Sequence, residues 1–313
     1  MDFFKNKQQA EQELGFGSKN YKNSVRFIKN GAINVTRTGL GGLNNLDIYH
    51  WLISASKTQL TIAICIWYIA INLLFGAVYY WIGPEYFGGL DADTDSQKFI
   101  NLFFFSAQTI TTLGYGHIYP IGNTASTAAS IESLMGLLSF AIATGIIFGR
   151  FSRPRADLLY SRNILISPYK DITGLMFRIT NKKQYELIES EANVTMTMNN
   201  PTTNRREFFN LNLEISRINF LALSWTIVHP IAETSPIYGL SIKELEERDV
   251  EIIILIKAIN DTFSQTVYSR HSYKIQDFVE NVKFKPLNPE AGKNGKLKIS
   301  VTDIHHFNSV QKS

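Results

Sequence analysis

The chain has 313 residues, of which 45% are hydrophobic and 19% charged, and its net charge at pH 7 is +4. This charge is too small to argue for nucleic acid as a partner, and the 12% aromatic content excludes a disordered chain. The single cysteine, Cys65, excludes disulfides within the chain and zinc clusters built from several cysteines. The apolar residues are unevenly distributed, which predicts a protein that is partly membrane-embedded and partly soluble.

Two long apolar segments predict transmembrane helices. Residues 60–82 contain no charged side chain. At 1.5 Å per residue they form a helix of about 35 Å, which exceeds a hydrocarbon core of about 30 Å. The second segment, residues 125–151, begins with small residues that permit close helix packing. It contains Glu132, an ionisable residue of the kind that usually faces the interior of a helix bundle.

The charges that flank these segments predict the orientation. Eight basic residues precede residue 60, and three arginines (Arg150, Arg153 and Arg155) follow Phe148 at the end of the second segment. The loop between the segments carries four acidic residues and one lysine. Because basic residues accumulate on the cytoplasmic side, we expect both termini in the cytoplasm of a multi-pass cell-membrane protein.

The loop between the two segments contains the most informative motif. Residues 99–109 are apolar but too short to cross a bilayer, so they predict a re-entrant pore helix. The following residues, Thr112, Leu113, Gly114, Tyr115 and Gly116, differ by one conservative change from the TVGYG potassium filter. In such a filter, backbone carbonyls replace the water around K⁺, and glycine accepts the unusual dihedral angles. We expect K⁺ to bind at residues 112–115.

One chain supplies one filter strand, so four copies are required, and the expected assembly is a homotetramer. Potassium is then the permeant ion, and no cofactor is expected. The competing interpretation of the motif is an extracellular glycine-rich turn.

Beyond the filter, the chain resembles the inward-rectifier potassium channels, in particular the prokaryotic KirBac type. Besides the filter, the matching segments are VRFIKNGAINV (25–35), DIYHWLISAS (47–56), IESLMG (131–136), FGRFSRPRA (148–156), ALSWTIVHPI (222–231), SPIYG (235–239) and SRHSYK (269–274). The resemblance implies an immunoglobulin-like cytoplasmic domain, an interfacial slide helix and a bacterial inner membrane.

The resemblance also implies roles for individual residues. Glu132 corresponds to a buried glutamate that supports the filter from behind, and Thr111 is a second residue expected to support the filter. Phe148 corresponds to a bulky gate residue, with Phe140 and Thr144 at four-residue steps lining the pore. The remaining candidates are two hinge glycines and four lipid-binding bases, namely Gly136, Gly145, Lys57, Arg150, Arg153 and Arg155. The lipid would be a phosphoinositide or another anionic lipid.

The C-terminal half predicts an all-β sandwich, because short apolar runs alternate with turn residues. The predicted strands are 163–166, 175–179, 194–198, 208–213, 223–228, 251–256, 265–269 and 296–301. Ser241 and Glu244 form a capping-box pattern that predicts a short helix. The histidines of this half match no hydrolase or nucleotide-binding motif, so we expect no enzyme activity.

The predicted fold is therefore a membrane α-helical pore, with two transmembrane helices and a re-entrant pore helix, joined to an all-β immunoglobulin-like sandwich cytoplasmic domain. The predicted segments are an N-terminal segment (1–46), slide helix (47–57), first transmembrane helix (58–82), pore loop (83–123), second transmembrane helix (124–151), linker (152–161) and β domain (162–313).

Four alternatives stay open. The slide helix could be the first turn of a longer helix, and Phe148 could be plain packing surface. The four bases could serve only to set the topology. Finally, the whole chain could be a membrane-anchored β-sandwich binding or scaffold protein whose pore does not conduct.

Overall fold

A computed structural model describes residues 26–29, 31–36, 48–151, 156–203, 205–291 and 297–310. The chain divides into two compact units. The β unit comprises Met1–Thr38 and Pro154–Ser313, and the helical unit comprises Gly39–Arg153. The described chain begins with a hairpin of the β unit, β1 (Ile28–Lys29) and β2 (Ala32–Ile33).

Four helices build the helical unit: α1 (Ile48–Ser54), α2 (Lys57–Ile82), α3 (Asp95–Ile110) and α4 (Gly122–Phe151). A 3-10 turn (Pro84–Tyr86) and the paired strands β3 (Phe87–Gly88) and β4 (Tyr119–Pro120) close the loop between them. Helices α2 and α4 are long and apolar enough to cross a membrane. Helix α1 is separate from α2, because Ser56 and Gln59 form a capping box that starts a new helix.

Helix α3 begins earlier than the apolar pattern indicated. A capping box formed by Thr94 and Gln97 starts the helix at Asp95, four residues before the predicted position 99. The first turn is polar, so hydrophobicity alone could not locate it.

The core of the helical unit lies between α2, α3 and the first turns of α4. An aromatic cluster forms its centre, in which Tyr79 packs against Phe75, Phe87 and Phe105 with ring centroids 5.1–6.1 Å apart. The outer faces are apolar but uncovered by the chain: only 22% of the apolar window of α2 and 11% of that of α4 are buried. Such faces need lipid or another copy of the chain to cover them.

The β unit is a sandwich of two five-stranded sheets. The strands are β5 (Leu158–Tyr160), β6 (Ile164–Tyr169), β7 (Ile172–Asn181), β8 (Leu187–Asn200), β9 (Arg205–Asn210), β10 (Arg217–Phe220), β11 (Trp225–Ile231), β12 (Glu251–Asn260), β13 (Gln265–Lys274) and β14 (Phe278–Glu280). One sheet has the order β10-β8-β12-β13, with β9 on β8; the other has the order β11-β7-β6-β14, with β5 on β7. Only the β6–β14 pair is parallel among these strands.

The core of the sandwich is formed by inward-facing residues of both sheets. Phe177 and Ile179 of β7 belong to the same buried cluster as Val194 of β8 and Ile252 and Ile254 of β12. The back of β7 is also covered, since Met176 packs in a second cluster with Phe284. This explains why the buried positions of β7 run continuously instead of alternating.

Smaller elements complete the unit: strands β15 (Val282–Phe284), β16 (Glu290–Ala291), β17 (Leu297–Lys298) and β18 (Phe307–Ser309), two 3-10 turns (Ile275–Asp277 and Val301–His305), and helix α5 (Ile242–Glu247). The predicted capping box of α5 is confirmed, with Ser241 as the N-cap. The predicted strand 296–301 is wrong beyond Lys298, because the chain enters the 3-10 turn at Val301.

Candidate functional site

The segment after α3 alternates in backbone handedness. Thr112, Gly114 and Gly116 have positive φ angles of 55°, 50° and 75°, whereas Leu113 and Tyr115 do not. Alternating handedness turns successive peptide groups toward the same side, which is how a row of backbone dipoles can face one ion. The unusual dihedrals expected at the two glycines are present. The one at Thr112 was not predicted, since β-branched residues rarely adopt positive φ.

The end of α3 holds this segment in place. The carbonyl of Gln108 accepts hydrogen bonds from the backbone N–H groups of Leu113 (2.9 Å) and Gly114 (3.3 Å). The Thr111 hydroxyl donates to the carbonyl of Ala107 at 2.7 Å. Within the described residues, no group donates to the carbonyl oxygens of residues 112–115. Four consecutive acceptors are therefore available to a ligand.

The side chains of Leu113 and Tyr115 are 55% and 74% exposed. Most of the surface of both residues is therefore left uncovered by the described chain. If they are buried in the functional protein, another subunit must bury them.

Glu132 lies at the meeting point of three helices and is fully buried. Its carboxylate accepts hydrogen bonds from the hydroxyls of Tyr79 on α2 and Ser106 on α3. The Ser106 hydroxyl also lies 3.0 Å from Oδ1 of Asn72, and Asn72, Tyr79 and Ser106 are themselves fully buried. The sequence predicted a buried role for Glu132 but not these partners. The available signal was the seven-residue spacing of Asn72 and Tyr79, which places both on one face of α2.

Gly136 allows α4 to pass directly against the end of α3. A Cβ atom at this position would lie 2.1 Å from the carbonyl oxygen of Ile110. Close packing alone therefore explains why a glycine occupies position 136, and no hinge motion is needed to explain it. At Gly145 a Cβ would meet no described atom within 4 Å.

The lower half of α4 presents an uncovered aromatic face. Phe140 and Phe148 are 74% and 72% exposed, and Thr144 between them is also exposed. Beside this face lies an apolar cavity of about 790 Å³, which reaches from Ile147 up to Thr112. It is lined mainly by side chains of α2 and α4.

The four predicted lipid-binding bases fall into three groups. Lys57 is exposed at the start of α2. Arg150 donates hydrogen bonds to the carbonyls of Leu52 (2.9 Å) and Ala55 (2.7 Å) at the end of α1. Arg153, Arg155 and the predicted first slide-helix residue, Asp47, lie outside the described residues.

The histidines of the β unit have structural partners. His229 is buried between the carbonyl of Asn212 (2.7 Å) and the hydroxyl of Ser235 (2.8 Å), and burial lowers its pKa. His271 stacks on Tyr160, and burial together with the Arg26 charge lowers its pKa to about 4. Across the described residues, no group of three or more His, Cys, Asp or Glu side chains could hold a metal ion.

Comparisons with known proteins find matches for both units. Residues 158–313 match the model of the inward rectifier potassium channel C-terminal domain, and residues 60–153 match an ion channel model. Kirbac3.1, an inward rectifier potassium channel of Paramagnetospirillum magnetotacticum, is 33% identical over 253 residues, covering 80% of this chain and 84% of that protein.

More distant relatives come from mammals. Inward rectifier potassium channel 4 of Mus musculus is 25% identical over 306 residues, covering 85% of this chain and 68% of that protein. The Homo sapiens protein of the same name is 28% identical over 202 residues, covering 60% of this chain and 45% of that protein. The relatives are potassium channels and not enzymes. The chain belongs to the inward rectifier potassium channel family, and within it to the prokaryotic type.

Proposed function

We propose that the chain forms a homotetrameric potassium-selective channel in which residues 112–116 are the selectivity filter. The observation that carries this proposal is the alternating handedness of Thr112, Gly114 and Gly116, next to carbonyls that accept no other hydrogen bond in the described chain. Four such strands around one axis supply rings of carbonyl oxygens that replace the hydration shell of K⁺.

The uncovered surfaces of the helical unit support the tetramer. Leu113 and Tyr115 are exposed, and the apolar cavity beside Phe140 extends to Thr112. A neighbouring subunit that packs there covers all three features at once. A scaffold protein with a non-conducting pore gains nothing from four free carbonyls.

Glu132 and Thr111 support the filter from behind in this proposal. Ser106 lies on the pore helix four residues before Ile110, so the Glu132–Ser106 bond fixes that helix against α4. The Thr111 hydroxyl stabilises the last turn of α3, from which the filter begins.

We place the gate at Phe148, with Phe140 and Thr144 lining the pore above it. All three are exposed in a single chain and lie on one face of α4. Four phenylalanine rings close a narrow pore by steric block and dewetting. Gly145 is the hinge candidate, because a Cβ atom there would meet no described atom within 4 Å. In this proposal, conformational changes of the β unit open and close the gate. Phe148→Ala should raise basal K⁺ flux without changing selectivity; unchanged flux in a folded variant moves the gate elsewhere.

The proposed membrane topology uses the segments predicted from the sequence. Both termini lie in the cytoplasm of a bacterial cell, and α2 and α4 cross its inner membrane. Anionic lipid heads, including phosphoinositides, bind Lys57, Arg153 and Arg155 at the cytoplasmic side, where each base contributes about 1 kcal/mol. We expect phosphatidylinositol bisphosphate to reduce flux and Arg153→Gln with Arg155→Gln to weaken this effect. Activation by this lipid would reverse the assigned sign.

The filter assignment is tested with Gly114→Ala and Gly116→Ala. A Cβ at positive φ costs about 1–2 kcal/mol per residue, so the strand relaxes away from the geometry that aligns its carbonyls. We expect loss of K⁺ flux in liposomes from a protein that still runs as a tetramer. Normal selectivity for K⁺ over Na⁺ in both variants would exclude this filter.

A further inference from the structure

We propose that Arg150 is a positioning residue that ties the end of α4 to the corner between α1 and α2. Its guanidinium donates two hydrogen bonds to backbone carbonyls of that corner, Leu52 at 2.9 Å and Ala55 at 2.7 Å. The end of α4 therefore moves together with α1. This assignment differs from a lipid contact, because the donors of Arg150 are directed at the protein itself.

The corner presents these acceptors because of how α1 ends and α2 begins. The N–H of Ser56 would normally bond to the carbonyl of Leu52, four residues earlier, but it donates to Oε1 of Gln59 at 2.8 Å. The capping box of α2 therefore leaves Leu52 without its helical partner. Helix ends with unpaired carbonyls carry partial negative charge, which a guanidinium neutralises.

Arginine suits this corner better than lysine does. Its planar fork carries several N–H donors in fixed directions and reaches two acceptors at once. The corner it holds is packed, since Ile53 and Ala55 are each only 8% exposed. An ammonium group keeps the charge but loses the fork, so the lysine variant separates a tether from an attraction to anionic lipid.

The consequence for gating rests on the proposed function, with Phe148 as the gate residue. Arg150 lies two residues after Phe148, in the last turn of α4. A displacement of α1 then reaches the gate through Arg150. Trp51 on α1 is 48% exposed, as an aromatic anchor at the membrane interface would be, so its replacement perturbs α1 without changing any residue of α4.

The first test is a double-mutant cycle on K⁺ flux in liposomes. We expect Trp51→Ala to change flux about threefold or more in the unmodified channel, and to have little effect in the Arg150→Gln and Arg150→Lys channels. Thr61→Ala, which removes a hydroxyl bond one turn into α2, serves as the control that keeps the Trp51 effect. Additive effects of Trp51 and Arg150, or no effect of Trp51→Ala in the unmodified channel, would overturn the coupling.

The second test needs no conduction and measures hydrogen exchange of the α1 amides in the full-length protein in lipid. Loss of the tether should speed their exchange about tenfold in both Arg150→Gln and Arg150→Lys, but not in Thr61→Ala. Exchange in Arg150→Lys equal to that of the unmodified protein would assign Arg150 to charge alone. If the unmodified protein carries no K⁺ flux, the proposed function fails, and the exchange result still decides the tether.

Discussion

Gly136 and Gly145 on α4 lie in different surroundings, and a matched pair of alanine variants can separate the effects of these surroundings on stability. Gly136→Ala puts a methyl group within 2.1 Å of the Ile110 carbonyl oxygen, and overpacking of this kind costs about 1–3 kcal/mol. Gly145→Ala meets no described atom within 4 Å and gains helix propensity. We expect the midpoint temperature of thermal denaturation of the purified protein to fall for Gly136→Ala and to stay the same or rise for Gly145→Ala. Equal shifts would contradict the close packing at Gly136.

His271 should make the stability of the β unit depend on pH. Its pKa is lowered to about 4, against about 6.5 in an unfolded chain. Between these values only the unfolded chain binds the proton, so the free energy of unfolding falls as pH drops from about 6.5 to about 4. The loss at pH 5 is on the order of 1–2 kcal/mol.

Urea unfolding at pH 7 and pH 5 measures this contribution. His271→Asn should reduce the difference in unfolding free energy between the two pH values. His306→Asn, at a histidine whose side chain is 59% exposed, is the control and should not reduce it. The same pH dependence in both variants would contradict the buried neutral state of His271.

At this scale the sequence predicted motifs better than contacts. Gly114 and Gly116 were identified as positions of unusual backbone because their spacing matches a known chemical requirement. Tyr79 and Ser106 were not connected to Glu132, because a hydrogen bond between three helices leaves no mark in local spacing.

The contact between helices behind the filter gives a prediction at the scale of elements. Tyr79→Phe removes one of two hydroxyl donors to the buried Glu132 carboxylate. An unsatisfied buried acceptor costs about 1–3 kcal/mol, so the three helices should pack less stably and the pore helix should lose its fixed position. We expect a lower midpoint temperature of thermal denaturation and a reduced preference for K⁺ over Na⁺ in flux measurements.

Tyr80→Phe provides the control for this experiment. Tyr80 is the next residue on α2 and is 38% exposed, and its ring packs edge-on against Phe99 of α3, a contact that phenylalanine retains. This variant should behave as the unmodified protein does. If both tyrosine variants are indistinguishable in stability and selectivity, the Glu132 cluster does not hold the pore helix.

Elements were predictable where a strong period or cap defines them. Residues 60–82 and 125–151 gave both long helices, and Ser241 with Glu244 gave α5. Short edge strands such as β10 and β14 were missed, because their few residues carry no clear alternation and their pairing depends on distant partners. The start of α3 was misplaced because Thr94 and Gln97, not apolar residues, determine it.

At the scale of the whole molecule, the two units differ in how completely one chain satisfies them. The β unit buries its own core between two sheets. The helical unit leaves apolar faces on α2 and α4 and an open cavity. The sequence could predict this incompleteness only through the proposed filter, since rings of carbonyls around one axis need several copies of the chain. It could not predict the Arg150 contact, because that contact joins residues about 95 positions apart.

In the proposed function, four copies of residues 112–116 make a potassium-selective pore. The most direct measurement is the reversal potential of purified protein in a planar bilayer with K⁺ on one side and Na⁺ on the other. We expect a large displacement of this potential toward the potassium equilibrium potential, and we expect this displacement to be lost in Gly116→Ala. A reversal potential near zero in the unmodified channel, showing equal passage of both ions, would contradict it.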